Sequence, residues 1–173
     1  LWTCGLNDYG QLGDGTTTNK PVWEQVGSGF SQIACGGSHS LALKVDGTLW
    51  ACGSNNHGEL GDSNTSNKLS WEQVGVNFSQ IACGSDHSLA LKTDGTLYGC
   101  GLNDFGELGN GTTNTTPMFK EILTGVANNN IDTTADIKKD PIVNAAAISL
   151  DKSTYAMTIG QADTLTASIT PIN

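Results

Sequence analysis

Residues 33–50 read IACGGSHSLALKVDGTLW, and residues 81–98 repeat them as IACGSDHSLALKTDGTLY. Within this stretch the runs 31–35, 39–44 and 49–52 have strand length and are partly β-branched or aromatic. Asp46-Gly47 falls between two of them, and Asp-Gly is the favoured pair for a type I′ hairpin. Gly36-Gly37 marks a second sharp turn, on the expectation that glycine is wanted there for positive φ. A further run at 22–26 brings the predicted strands to four per unit.

Working outward, the repeat extends across most of the chain. Leu1-Trp2 returns as Leu49-Trp50 and as Leu97-Tyr98, a period of 48 residues. Residues 1–48 align on 49–96 without a gap and agree at 33 of 48 positions. Cys4/Cys52, Asn7/Asn55, Gly10/Gly58, Leu12/Leu60, Trp23/Trp71, Phe30/Phe78, Cys35/Cys83 and His39/His87 all match. A third copy keeps Cys100, Gly101, Asn103, Gly106, Leu108 and Gly109, puts Phe119 at the Trp23 position, and ends near Val126. Four short strands and Gly-rich turns in 48 residues describe a blade of a β-propeller. Parallel solenoid coils would not need hairpin turns at this spacing.

Composition excludes several classes. The chain carries 17 acidic and 8 basic side chains, a formal net charge of −9, which leaves no basic stripe for nucleic-acid phosphates. No apolar run approaches the ~20 residues of a transmembrane helix. With 22 glycines and only 14% charged residues, the chain is neither helical nor disordered in character.

The stretches CGLNDYGQLGDGTT, Pro21 and IACGGSHSLALKVDGTLW together resemble the repeat of the regulator of chromosome condensation family, over residues 1 to about 126. The resemblance implies a propeller of about seven four-stranded blades. Cys4, Cys52 and Cys100 depart from the family, which often has an aromatic residue there. The domain reading is therefore propeller repeats at 1–126 (1–48, 49–96 and a partial 97–126) and a linker at 127–147, rich in Asn, Asp, Thr and Lys. Residues 148–173, ISLDKSTYAMTIGQADTLTASITPIN, resemble the first strands of a bacterial immunoglobulin-like repeat. The expected fold is all-β: a partial propeller of two full blades and a half, then a fragment of an immunoglobulin-like sandwich.

Candidate chemistry is sparse. Cys35-x₃-His39 and Cys83-x₃-His87 could each supply half a zinc site, but equivalent positions on neighbouring blades do not converge. They read as blade residues, with the histidines tying down the Gly turns and His57 as a loop side chain. The five cysteines, Cys4, Cys35, Cys52, Cys83 and Cys100, read as buried free thiols; pairing of Cys4 with Cys35 or Cys52 with Cys83 is left open. Asp14, Asp62, Glu59 and Glu107 fall in repeated loops and Asp46 and Asp94 in turns, so no catalytic carboxylate pair forms. The segment from Asp8 to Gly15 lacks the alternating ligands of a calcium loop. Four Asn-x-Ser/Thr triplets, at Asn64, Asn77, Asn110 and Asn114, are what so Asn- and Thr-rich a chain produces by chance.

No catalytic, cofactor or metal residue is assigned. The expected function is a non-enzymatic binding or structural module, recognising a protein or glycan through its loops. The immunoglobulin-like resemblance implies a bacterial cell-surface or secreted protein, such as an adhesin. A phage structural protein is the alternative on the same evidence. The propeller family also implies guanine-nucleotide exchange on a small GTPase, yet the two intact units align without an insertion that could act as a wedge. The chain opens at Leu1 without an initiator Met, so its missing strands are expected upstream, where they would pair with residues 97–126 to close the ring. The remainder of the propeller is thus one expected partner; nucleic acid and membrane insertion are not.

Overall fold

The computed structural model describes residues 1–126 and, further on, the backbone of one hairpin. Ten strands arise in the first region: β1 (Trp2–Gly5), β2 (Lys20–Gln25), β3 (Phe30–Cys35), β4 (His39–Lys44), β5 (Leu49–Gly53), β6 (Lys68–Gly75), β7 (Phe78–Cys83), β8 (His87–Lys92), β9 (Leu97–Gly101) and β10 (Thr116–Leu123). They form antiparallel sheets in simple meander order: β1-β2, β3-β4-β5-β6 and β7-β8-β9-β10. The described residues are all-β, two four-stranded blades and a half-blade, as expected.

Sheet boundaries do not coincide with the sequence unit as counted from Leu1. Strands β3 and β4 lie in the first 48 residues but pair with β5 and β6 of the second. The half-blade is consequently β1–β2 at the amino edge. The expectation that 97–126 awaits strands from elsewhere is corrected, because β9 and β10 complete a sheet with β7 and β8.

Packing explains the offset. Leu41, Leu43, Leu49, Ala51, Leu60, Phe78 and Ala90 form one buried cluster between the two four-stranded sheets. The β4 run Leu41-Ala42-Leu43 is buried at every position, because the central strands of a blade are covered on both faces. Each fully buried leucine contributes about 2 kcal/mol of apolar burial. A smaller cluster of Ala82, Leu89 and Leu108 lies on the second sheet.

Two turn readings are revised. Only Gly47 takes positive φ (79°) in the 45–48 turn, and its N–H donates to the Lys44 carbonyl at 3.0 Å. This is a longer loop with a left-handed glycine at its end, rather than type I′, which needs two left-handed residues. Gly36 and Gly84 have no positive φ. They are glycines because the rings of His39 and His87 lie where a Cβ would stand.

The second described region pairs β11 (Tyr155–Ile159) antiparallel with β12 (Asp163–Ala167), from Tyr155↔Ala167 to Ile159↔Asp163. The linker reading at 127–147, and the immunoglobulin-like reading beyond this hairpin, lie outside the described residues.

Candidate functional site

Three equivalent loops, 6–19, 54–67 and 102–115, connect the last two strands of each sheet at one end of the blades. The turns 36–38 and 84–86 lie at that same end, since the strands alternate direction. Each loop closes on one fully buried asparagine. The Asn7 side-chain amide donates to Asp14 Oδ1 (3.0 Å) and to the carbonyls of Thr16 (3.0 Å) and Thr18 (3.2 Å), while its Oδ1 accepts from the Leu12 N–H (3.0 Å). Asn55 repeats this with Asp62, Asn64, Ser66 and Leu60. Asn103 repeats it with Asn110, Thr112, Asn114 and Leu108. A long polar loop thus gains a folded interior without an apolar core.

Loop tips are pinned in the same way. The N–H of Tyr9 donates to Gln11 Oε1, that of His57 to Glu59 Oε2, and that of Phe105 to Glu107 Oε2. Each blade therefore presents one ring at an equivalent place. Phe105 is 88% exposed and Tyr9 41%. Acidic or amide residues precede them, at Asp8, Asn56 and Asp104. Lys20 is held by Asp14 and Glu24, and Lys68 by Asp62 and Glu72, so both cations are already paired. Burial opposes the charge on Asp14, but the Thr16 N–H and hydroxyl, Lys20 and Asn7 outweigh it and hold the carboxyl at about 2.

The expected Cys and His residues serve the seams between blades. His39 Nε2 lies 3.0 Å from the Ser88 hydroxyl of the next blade, and that hydroxyl donates to the Glu59 carbonyl (2.7 Å). His39 is buried, and burial pushes its pKa down to about 4. The expectation that histidine side chains hold the Gly turns is corrected, because the turn bond runs from the Gly36 N–H to the His39 backbone carbonyl (2.8 Å). His57 stands in its loop, half-buried.

All five cysteines are free, and Cys52 and Cys100 are fully buried, as expected of strand thiols. Cys83 is part-buried against the Ala34 carbonyl, and burial pushes its thiol up to about 12. Cys35 departs from the expectation and is exposed. Its repeat-mate Cys83 packs on an inner strand of the preceding blade, whereas the half-blade β1–β2 has no inner strands among the described residues. Among those residues no group of three or more His, Cys, Asp or Glu side chains could hold a metal.

Sequence reading passed over the three asparagines as mere repeat matches. A polar residue kept at one position in every copy, inside a loop without apolar alternatives, was the available signal. Lys44 and Lys92 were also passed over. Their ammonium groups sit 3.9 Å from the Trp50 ring centre and 4.5 Å from that of Tyr98, at the opposite end of the blades.

Meander sheets joined by identical seams, with long pinned loops at one end, define successive blades of a repeat-built β-propeller. Family comparison agrees with that geometry: the regulator of chromosome condensation (RCC1) repeat matches residues 1–43, 46–91 and 94–132, and a second model of the repeat matches 30–59 and 78–107. The chain belongs to the RCC1 repeat family. The windows opening at 30 and 78 begin where β3 and β7 begin, in phase with the sheets.

Solved structures place it in the same company. Human WBSCR16 is 27% identical with a TM-score of 0.62, covering 70% of this chain and 34% of its own. Prp20p from Saccharomyces cerevisiae, described with its binding properties to Gsp1p and histones, is 28% identical with a TM-score of 0.58, covering 71% and 33%. Yeast RCC1 (Prp20) bound to Kap60 gives 25%, 0.59, 71% and 32%. The chain spans about a third of the length of each.

Proposed function

We propose that the chain is a non-catalytic propeller module that binds a protein through the loop face formed by 6–19, 54–67 and 102–115. The observation that carries this is the threefold pinned loop, which holds Tyr9, His57 and Phe105 at equivalent places on a rigid frame. Exposed aromatic rings held at low entropic cost are what interface hot spots use. The surrounding charge favours a ligand with basic residues, since Asp8 and Asp104 stand beside the rings and Lys20 and Lys68 are already neutralised. Prp20p, with its described binding to Gsp1p and histones, supports protein recognition by such a fold.

The test is biolayer interferometry of the immobilised chain against a Lys- and Arg-rich peptide, an acidic peptide and a glycan panel. Saturable binding of the basic peptide, weakened by salt and lost in a Tyr9→Ser/Phe105→Ser variant, supports the reading. Binding that ignores the double substitution, or that favours glycans, overturns it.

The location we assign is a bacterial cell surface or the secreted fraction, on the resemblance of residues 148–173 to an immunoglobulin-like repeat. Recovery of peptides from this chain by protease treatment of intact cells tests that assignment. Guanine-nucleotide exchange is the second reading, from the family resemblance. Faster release of labelled GDP from a small GTPase on addition of the chain would favour it over simple binding.

A further inference from the structure

The seam between blades is made twice within the chain, and each end carries half of another. In the first seam Leu69 lies over Gly10 and Trp71 over Gly13, while Ser40 and Cys52 donate to the Gln11 carbonyl. In the second, Pro117 lies over Gly58 and Phe119 over Gly61, while Ser88 and Cys100 donate to the Glu59 carbonyl. The third copy presents the same receiving parts. Gly106 and Gly109 have the same left-handed φ (82° and 64°), with nothing within 4 Å of either Cβ position, and Glu107 stands between them.

The inserting parts stand at the other edge. Pro21 occupies the Pro117 position on β2, Trp23 the Trp71 position, and Cys4 on β1 the Cys100 position. Trp23 is 67% exposed and Val22 64%, whereas Trp71 is half-buried in its seam.

We propose that the β1–β2 edge of a second copy docks on the Gly106–Gly109 edge of the first, so that copies associate head to tail. Continuity argues the occupant. A repeat that already seats an aromatic ring over a left-handed glycine twice offers one more empty seat and one more uncovered ring. His87 Nε2, buried and without a partner, lies on the inner part of the receiving edge. Its mate His39 meets Ser88 on a central strand, which β1 and β2 do not supply, so His87 remains outside the contact. Because the two patches differ, each added copy leaves one of each kind open, and association continues to a ring or a filament.

Light scattering across a concentration series of the full 173-residue chain tests this. Wild type should rise in mass by whole protomers. Trp23→Ser removes the inserting ring; Gly109→Asn fills the seat with a residue that tolerates left-handed backbone. Each variant alone should be monomeric, and their equimolar mixture should form a dimer and stop, because its remaining edges are the disabled ones. If circular dichroism shows lost sheet in either variant, Pro21→Ser and Gly106→Asn form a second pair with the same logic. A wild type that stays monomeric, single variants that associate like wild type, or a mixture that stays monomeric would each overturn the proposal.

Discussion

Cys100 Sγ donates to the Glu59 backbone carbonyl across the seam between two blades at 3.4 Å, and Cys52 does the same to Gln11 at 3.5 Å. Both thiols are fully buried, and burial raises their pKa well above the ordinary thiol value. Cys35 on β3 is exposed. Timed labelling of the native chain with a maleimide should therefore modify Cys35 first and Cys52 and Cys100 last. Peptide mapping that finds Cys52 or Cys100 among the early products would contradict the seam. Cys100→Ser should cost less stability than Cys100→Ala, which removes the bond and leaves a void, at about 1–3 kcal/mol.

The buried asparagines make a sharper demand, on polarity rather than shape. Asn55→Ala should cost roughly 2–4 kcal/mol in chemical denaturation, since one amide satisfies several buried partners. Asn55→Asp keeps the shape but turns an oxygen toward Asp62, and should be at least as damaging. Asn103→Asp should be milder, because its counterpart is Asn110, whose amide can turn to donate. Equal effects at the two sites would show that the facing carboxylate is not the cause.

Trp23 and Trp71 hold the same repeat position in different surroundings. Trp71 lies over Gly13 and meets Phe30 with ring centres 5.8 Å apart, whereas Trp23 is exposed. Trp71→Ala should lower the melting temperature strongly, at roughly 3 kcal/mol, and Trp23→Ala should barely move it in dilute solution. Comparable losses at both positions would refute the packing assignment.

Stability should fall on mild acidification. Burial holds His39 neutral, to about 4 against an ordinary 6.5, with nearby Glu59 and Asp86 opposing the shift and His87 adding to it. The unfolded chain binds the proton first, so the contribution is complete above 6.5 and is lost as pH falls from there through about 4. The full effect is on the order of 3 kcal/mol. His87 is lowered by burial too and acts in the same sense. Urea midpoints of wild type and His39→Gln between pH 7 and 4 should converge as pH falls. A constant difference between them would remove His39 as the cause.

Read by itself, the sequence determined the 48-residue period, the all-β class, the blade as the repeating object and the family resemblance. Each is written in local chemistry: β-branched runs, Gly-rich turns and the spacing of Leu41 and Leu43 against Leu89 and Leu91. Tertiary structure alone decided where a blade begins, because a periodic sequence has no intrinsic starting point and strand pairing joins β4 of one unit to β5 of the next. It also decided that Gly36 is required for space against the His39 ring, that Asn7, Asn55 and Asn103 are loop cores, and that Cys35 and Cys83 differ in exposure. Identical residues acquire different roles through what the neighbouring blade puts against them, and that contact is made by atoms about one whole repeat away in the chain.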